Sequence, residues 1–172
     1  MAGRTILAGA VFAGAALWAA WLMVMPALAA NAGPGSAAAV ASAVSYRLGS
    51  LVCHQRASRS LHLGAVQLPV CARCVGLYSG AAIGAGAALI GLVAAGVRRR
   101  SGRVRLERVR LALILSAMPT AFLWIGEYGL GIGVTGPVRT LGALPLGATV
   151  AWLATALVGG RRVTGSAGPG SA

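Results

Sequence analysis

Thr5 to Ala30 runs for 26 residues without a charge. As a helix it is about 39 Å long, more than the ~30 Å of hydrocarbon in a bilayer. Three further apolar runs follow, at about 70–97, 111–126 and 138–158. Four such segments in one chain predict an all-α, polytopic membrane protein.

Composition agrees. The chain is 58% hydrophobic and 10% charged, where soluble domains carry about 25% charged residues. Its 26 glycines suit helices that approach closely in lipid. The net charge of +13 comes entirely from arginine, with no lysine and no aspartate. The arginines cluster at the ends of apolar segments, where membrane topology accounts for them, so a nucleic-acid partner is not expected. Glu107 and Glu127 are the only carboxylates. That points away from a two-carboxylate hydrolase, and the missing aspartate excludes a Ser-His-Asp set. No phosphate-binding glycine loop is present, so no nucleotide cofactor is expected.

Read in order, residues 1–172 form a single membrane domain. The first run (5–30) is a retained helix; Pro26-Ala27-Leu28-Ala29 also resembles a signal-peptidase site, which makes a cleaved leader the alternative. Asn31 to Ser36 is a turn. Ala37 to Val52 is too short and polar to span and reads as an interfacial helix. Residues 53–69 form a polar connection, and Pro69 is placed to open the next helix. Gly76, Gly80 and Gly84 recur every four residues, a ridge for packing within the bundle or for a homo-oligomer. Residues 98–110 hold seven arginines and one glutamate, a basic loop assigned to the cytoplasm by the positive-inside rule. Both termini are then cytoplasmic, and residues 53–69 and Glu127 face outward across an inner membrane. Glu127 is expected to pair with Arg139. Residues 163–172 read as a disordered tail.

The chemistry concentrates between Cys53 and Gly84, which hold all three cysteines and both histidines. Cys71-Ala72-Arg73-Cys74 is a CxxC at a helix start, where the helix dipole and Arg73 favour thiolate. With Cys53 it supplies three thiolates, and His54 or His62 could complete a Cys₃His site for zinc or copper(I). A thiol-disulfide redox pair, a structural disulfide and chemically inert cysteines are the other readings. Metal binding leads, which favours a binding protein over an enzyme. The residue after Cys74 is Val75, so the CxxCH of a c-type haem is absent. Gln55, Arg59, Arg73, Glu127 and Arg139 are further polar candidates.

These residues resemble a known family, domain of unknown function 2085, small prokaryotic membrane proteins. The resemblance lies in Cys53-His54-Gln55, Arg59-Ser60, Gly64, Pro69-Val70-Cys71-Ala72-Arg73-Cys74, Gly76, Tyr78 and Gly80. It continues more loosely through Pro119, Glu127, Arg139 and Gly147. His54 falls inside the pattern and His62 outside it, so the resemblance implies His54 as fourth ligand. Glu127 departs from an aspartate-glycine pair in relatives. The resemblance implies a membrane protein but no established activity.

Overall fold

The computed structural model describes residues 2–97 and 103–164. Four helices are long and apolar enough to cross a membrane: α1 (Ala2–Ala30), α3 (Ala72–Val97), α4 (Leu106–Gly129) and α5 (Gly136–Val158). A shorter helix, α2 (Ala37–Val52), follows the first, its start capped by Ser36 Oγ accepting from Ala39 N–H at 3.2 Å. A 3₁₀ turn (Ala57–Arg59) leads into an antiparallel hairpin, β1 (Ser60–Leu63) with β2 (Val66–Cys71). Two short strands, β3 (Arg103–Arg105) and β4 (Arg162–Thr164), pair in parallel at the opposite end of the bundle.

Helices α3 and α5 form the centre, with α1 against α3 and α4 against α5. The small-residue ridge makes this possible. A Cβ on Gly76, Gly80 or Gly84 would overlap the carbonyl oxygen of Thr140, Leu144 or Ala148 respectively, all in α5. The ridge is therefore filled within the chain and is not a face free for a second copy. Outward, Leu111, Ile114, Leu115, Phe122 and Ile125 of α4 are exposed, as lipid-facing side chains are. On α2, Val40, Val44, Leu48, Leu51 and Val52 also face out, while Ser45 and Gly49 are buried. That one-sided pattern fits a helix lying in a membrane interface.

The polar connection before α3 contains a hairpin. Gly64, at φ +60°, occupies the first central position of a two-residue turn, between the paired Leu63 and Val66. Only glycine adopts that conformation freely. Pro69 does not open the helix; it lies inside β2, and α3 begins at Ala72. The hairpin register is irregular between Ser60 and His62, opposite Pro69, so no ladder N–H is required there.

The charged ends also fall differently. Helix α4 extends beyond the apolar stretch 111–126 at both ends, taking in Arg108, Arg110 and Glu127. Hydropathy stops at a charge; a helix leaving the membrane need not. Of the basic loop, residues 98–102 lie outside the described residues, and 103–105 are strand. Of the tail expected to be disordered, 163–164 belong to β4 and 165–172 lie outside the described residues.

Candidate metal centre

Three different elements bring the cysteines together. Cys53 is the C-cap of α2, its N–H bonded to Gly49 O at 2.9 Å. Cys71 ends β2, and Cys74 sits in the first turn of α3. All three sulfurs lie within 4.8 Å of one another, and Cys71 Sγ to Cys74 Sγ is 3.6 Å. Cys71 N–H donates to Cys53 Sγ at 3.1 Å, which fixes the Cys53 sulfur against the end of β2. Leu22 from α1, with Leu68, Val70 and Val75, buries Cys53 and Cys71; Trp18 and Tyr78 close the group edge to face at 6.0 Å.

The backbone around the cysteines is fixed by Gln55. At φ +47° it reverses the chain after α2, a conformation that costs a non-glycine residue energy. Its side chain offsets this by donating Nε2–H to Tyr46 O at 2.8 Å and to Pro69 O at 2.6 Å. Gln67 Nε2 returns a bond to Gln55 O at 2.7 Å, and Tyr46 O–H donates to Gln67 O. A Cβ on Gly49 would overlap Pro69 O. Thus α2 and the hairpin are clamped together, and Cys53 is held against Cys71.

The histidines stand apart from this cluster. Among the described residues the metal-competent group is Cys53, Cys71 and Cys74, without His54 or His62. His54 is exposed, and its Nδ1 accepts from Arg56 N–H at 3.1 Å. His62 is exposed on β1.

Arg73 is turned away from the thiols it was expected to bias. It pairs with Glu127 Oε2, while Arg139 pairs with Glu127 Oε1. This Arg-Glu-Arg bridge joins the start of α3, the end of α4 and the start of α5. The second arginine was not foreseen because Arg73 and Glu127 lie 54 residues apart. Arg139 also donates to Ser58 O at 3.2 Å, and Arg59 lies 4.6 Å over the Tyr128 ring. Both contacts tie the turn before the hairpin to the ends of α4 and α5. With Arg73 engaged elsewhere, the Cys71 thiol is lowered to about 5, chiefly by its hydrogen bond with Cys74. Burial opposes this, and the hydrogen bond with Cys53 assists it.

The sulfur geometry fits a metal. Thiolates at about 2.3 Å around a tetrahedral ion stand about 3.8 Å apart, close to the 3.6 Å between Cys71 and Cys74. The donors are soft and preassembled, with Cys53 and Cys71 buried and Cys74 half-buried, a set that suits a thiophilic ion rather than magnesium or calcium.

Comparison with known proteins agrees with the membrane architecture. The family described as "Predicted membrane protein (DUF2085)" matches residues 53–153, from the first cysteine into α5. No curated protein and no solved structure matches the chain.

Proposed function

The chain belongs to the DUF2085 family of predicted membrane proteins, and from its sulfur cluster we propose that it binds one zinc or copper(I) ion through Cys53, Cys71 and Cys74. The convergence of three sulfurs within 4.8 Å carries this reading. Three protein ligands leave a coordination position for an incoming donor, the arrangement of a site that exchanges its ion or ligand rather than a closed structural site. His54 stands beside the cluster with its Nδ1 taken by Arg56 N–H, and in this reading it is not a ligand.

The site faces outward in this reading. Its support is the arginine distribution: Arg105, Arg108, Arg110, Arg161 and Arg162 belong to the opposite end of the bundle, and the sequence between α3 and α4 adds further arginines. Positive charge marks the cytoplasmic side. A membrane-impermeant thiol reagent should therefore label the reduced, metal-stripped cysteines in intact cells. Labelling confined to inverted vesicles would reverse the orientation.

Metal content and free thiols should be measured together on protein purified in mild detergent without chelator. The expected result is about one ion per chain, lost on Cys53→Ser or Cys71→Ser/Cys74→Ser and kept on His54→Ala. A second reading, dithiol-disulfide exchange, is favoured by the Cys71–Cys74 approach of 3.6 Å. Absence of metal, with two thiols appearing only after reductant, would replace the metal reading with that one.

A further inference from the structure

At the end of the bundle away from the cysteines, a cavity of about 330 Å³ opens between α4 and α5. That volume lies within the range of small-molecule sites, about 300–1,000 Å³. Its lining includes three arginines, Arg105, Arg108 and Arg161. Each comes from a different structural position. Arg105 ends β3 and is the N-cap of α4, Arg108 lies in the first turn of α4, and Arg161 follows α5. The parallel pairing of Arg105 with Thr164 brings the chain before α4 against the chain after α5.

These charges lack compensation. Among the described residues none of the three forms an ion pair, and the only acid in this region, Glu107, is exposed. Arg105 makes no side-chain cap bond to α4, so the positive end of that helix points the same way. Arg161 is held 5.6 Å over the Trp152 ring, which restrains it in the cavity wall. Three like charges around one cavity repel one another, and an anion there removes the repulsion. The guanidinium fork matches phosphate oxygens in pairs.

The remaining walls decide the kind of anion. Val109, Ala112 and Leu153 line the same cavity, and the neighbouring outer surface of α4 is apolar at Leu111 and Leu115. A free inorganic anion has no use for those walls; an amphiphile does. We propose that this cavity binds a phosphate group, and that the phosphate is the headgroup of an anionic phospholipid whose acyl chains continue along α4 and α5.

The test is a lipid titration of delipidated protein in detergent, read by native mass spectrometry. It uses phosphatidylglycerol, phosphatidylcholine and inorganic phosphate as separate probes. The expected result is retention of phosphatidylglycerol over phosphatidylcholine by on the order of a hundredfold for three arginines. Arg105→Gln/Arg108→Gln/Arg161→Gln should lose that preference, and the matching lysine variant should keep part of it. Saturable binding of inorganic phosphate that also displaces the lipid supports the phosphate site. Binding of inorganic phosphate with no lipid preference overturns the lipid source. Equal retention of both lipids by the unmutated chain overturns the proposal whatever the variants do.

Discussion

Glu127→Ala is expected to destabilise the bundle by about 3–5 kcal/mol, the cost of leaving buried charges without their partner. The Glu127 side chain is only 7% exposed, and each carboxylate oxygen meets its own guanidinium, from Arg73 and from Arg139. All three charges are badly placed for their own helices. Arg73 and Arg139 sit at positive helix starts, and Glu127 sits at a negative helix end. Only their mutual pairing makes the arrangement favourable, so removing the middle member leaves two cations facing each other.

The expected pattern across variants is specific. Glu127→Ala/Arg139→Ala should recover part of the loss, because one uncompensated charge remains rather than two. Replacing the whole triad, as Arg73→Met/Glu127→Leu/Arg139→Met, should return stability close to the starting value, since apolar substitutes for a complete buried network are often neutral or better. The check is unfolding by sodium dodecyl sulfate titration in mixed micelles, with a double-mutant cycle for Glu127 and Arg139. A cost below about 1 kcal/mol for Glu127→Ala would mean that the triad is screened like a surface pair. The bridge also reaches the thiols: Arg73 lies between Cys71 and Cys74, so freeing its side chain should weaken metal retention in the same variant.

What was legible in the sequence follows from the range over which each signal acts. The four long helices were readable because an apolar run is a local property and needs no partner. The interfacial helix at 37–52 was readable for the same reason, together with the turn before it. The hairpin was not: β1 is four residues, SLHL, and β2 contains Pro69, normally a sign against a strand. Its stability comes from Gln55, Gln67 and Tyr46, whose bonds cross up to 21 residues. The meeting of Cys53 with Cys71 and Cys74 was anticipated from thiol chemistry, whereas the place of His54 depends on a backbone reversal at Gln55 that composition does not encode. The Arg73–Glu127 pair was hidden for a related reason. Arg73 reads as thiol tuning until α4 is known to end beside it.

Helix approach supplies the other large effect. Gly84→Val should destabilise the protein by about 3 kcal/mol, the upper end of the usual overpacking range. A Cβ at Gly84 would overlap Ala148 O and stand 2.6 Å from Ala148 C and 2.8 Å from Ala148 Cα. These are backbone atoms of α5, so no rotamer change can clear them; the two helices must separate. Separation there propagates along the whole ridge, because Gly76 and Gly80 touch the same helix and Gly147 of α5 lies equally close against Leu77. Gly142 provides an internal contrast, since the first atom its Cβ would meet is Leu123 Cδ1, the end of a flexible side chain. Gly142→Ala should therefore cost less than Gly84→Ala. Gly9 and Gly14 of α1 have open space around a new Cβ, and alanine there should be neutral or slightly stabilising through helix propensity. The four alanine variants and Gly84→Val can be ranked in one detergent unfolding series. Equal effects at Gly9 and Gly84 would mean that the backbone contact between α3 and α5 contributes nothing. The expected order would instead establish that contact as what holds the start of α3, and with it Cys74, against the rest of the bundle.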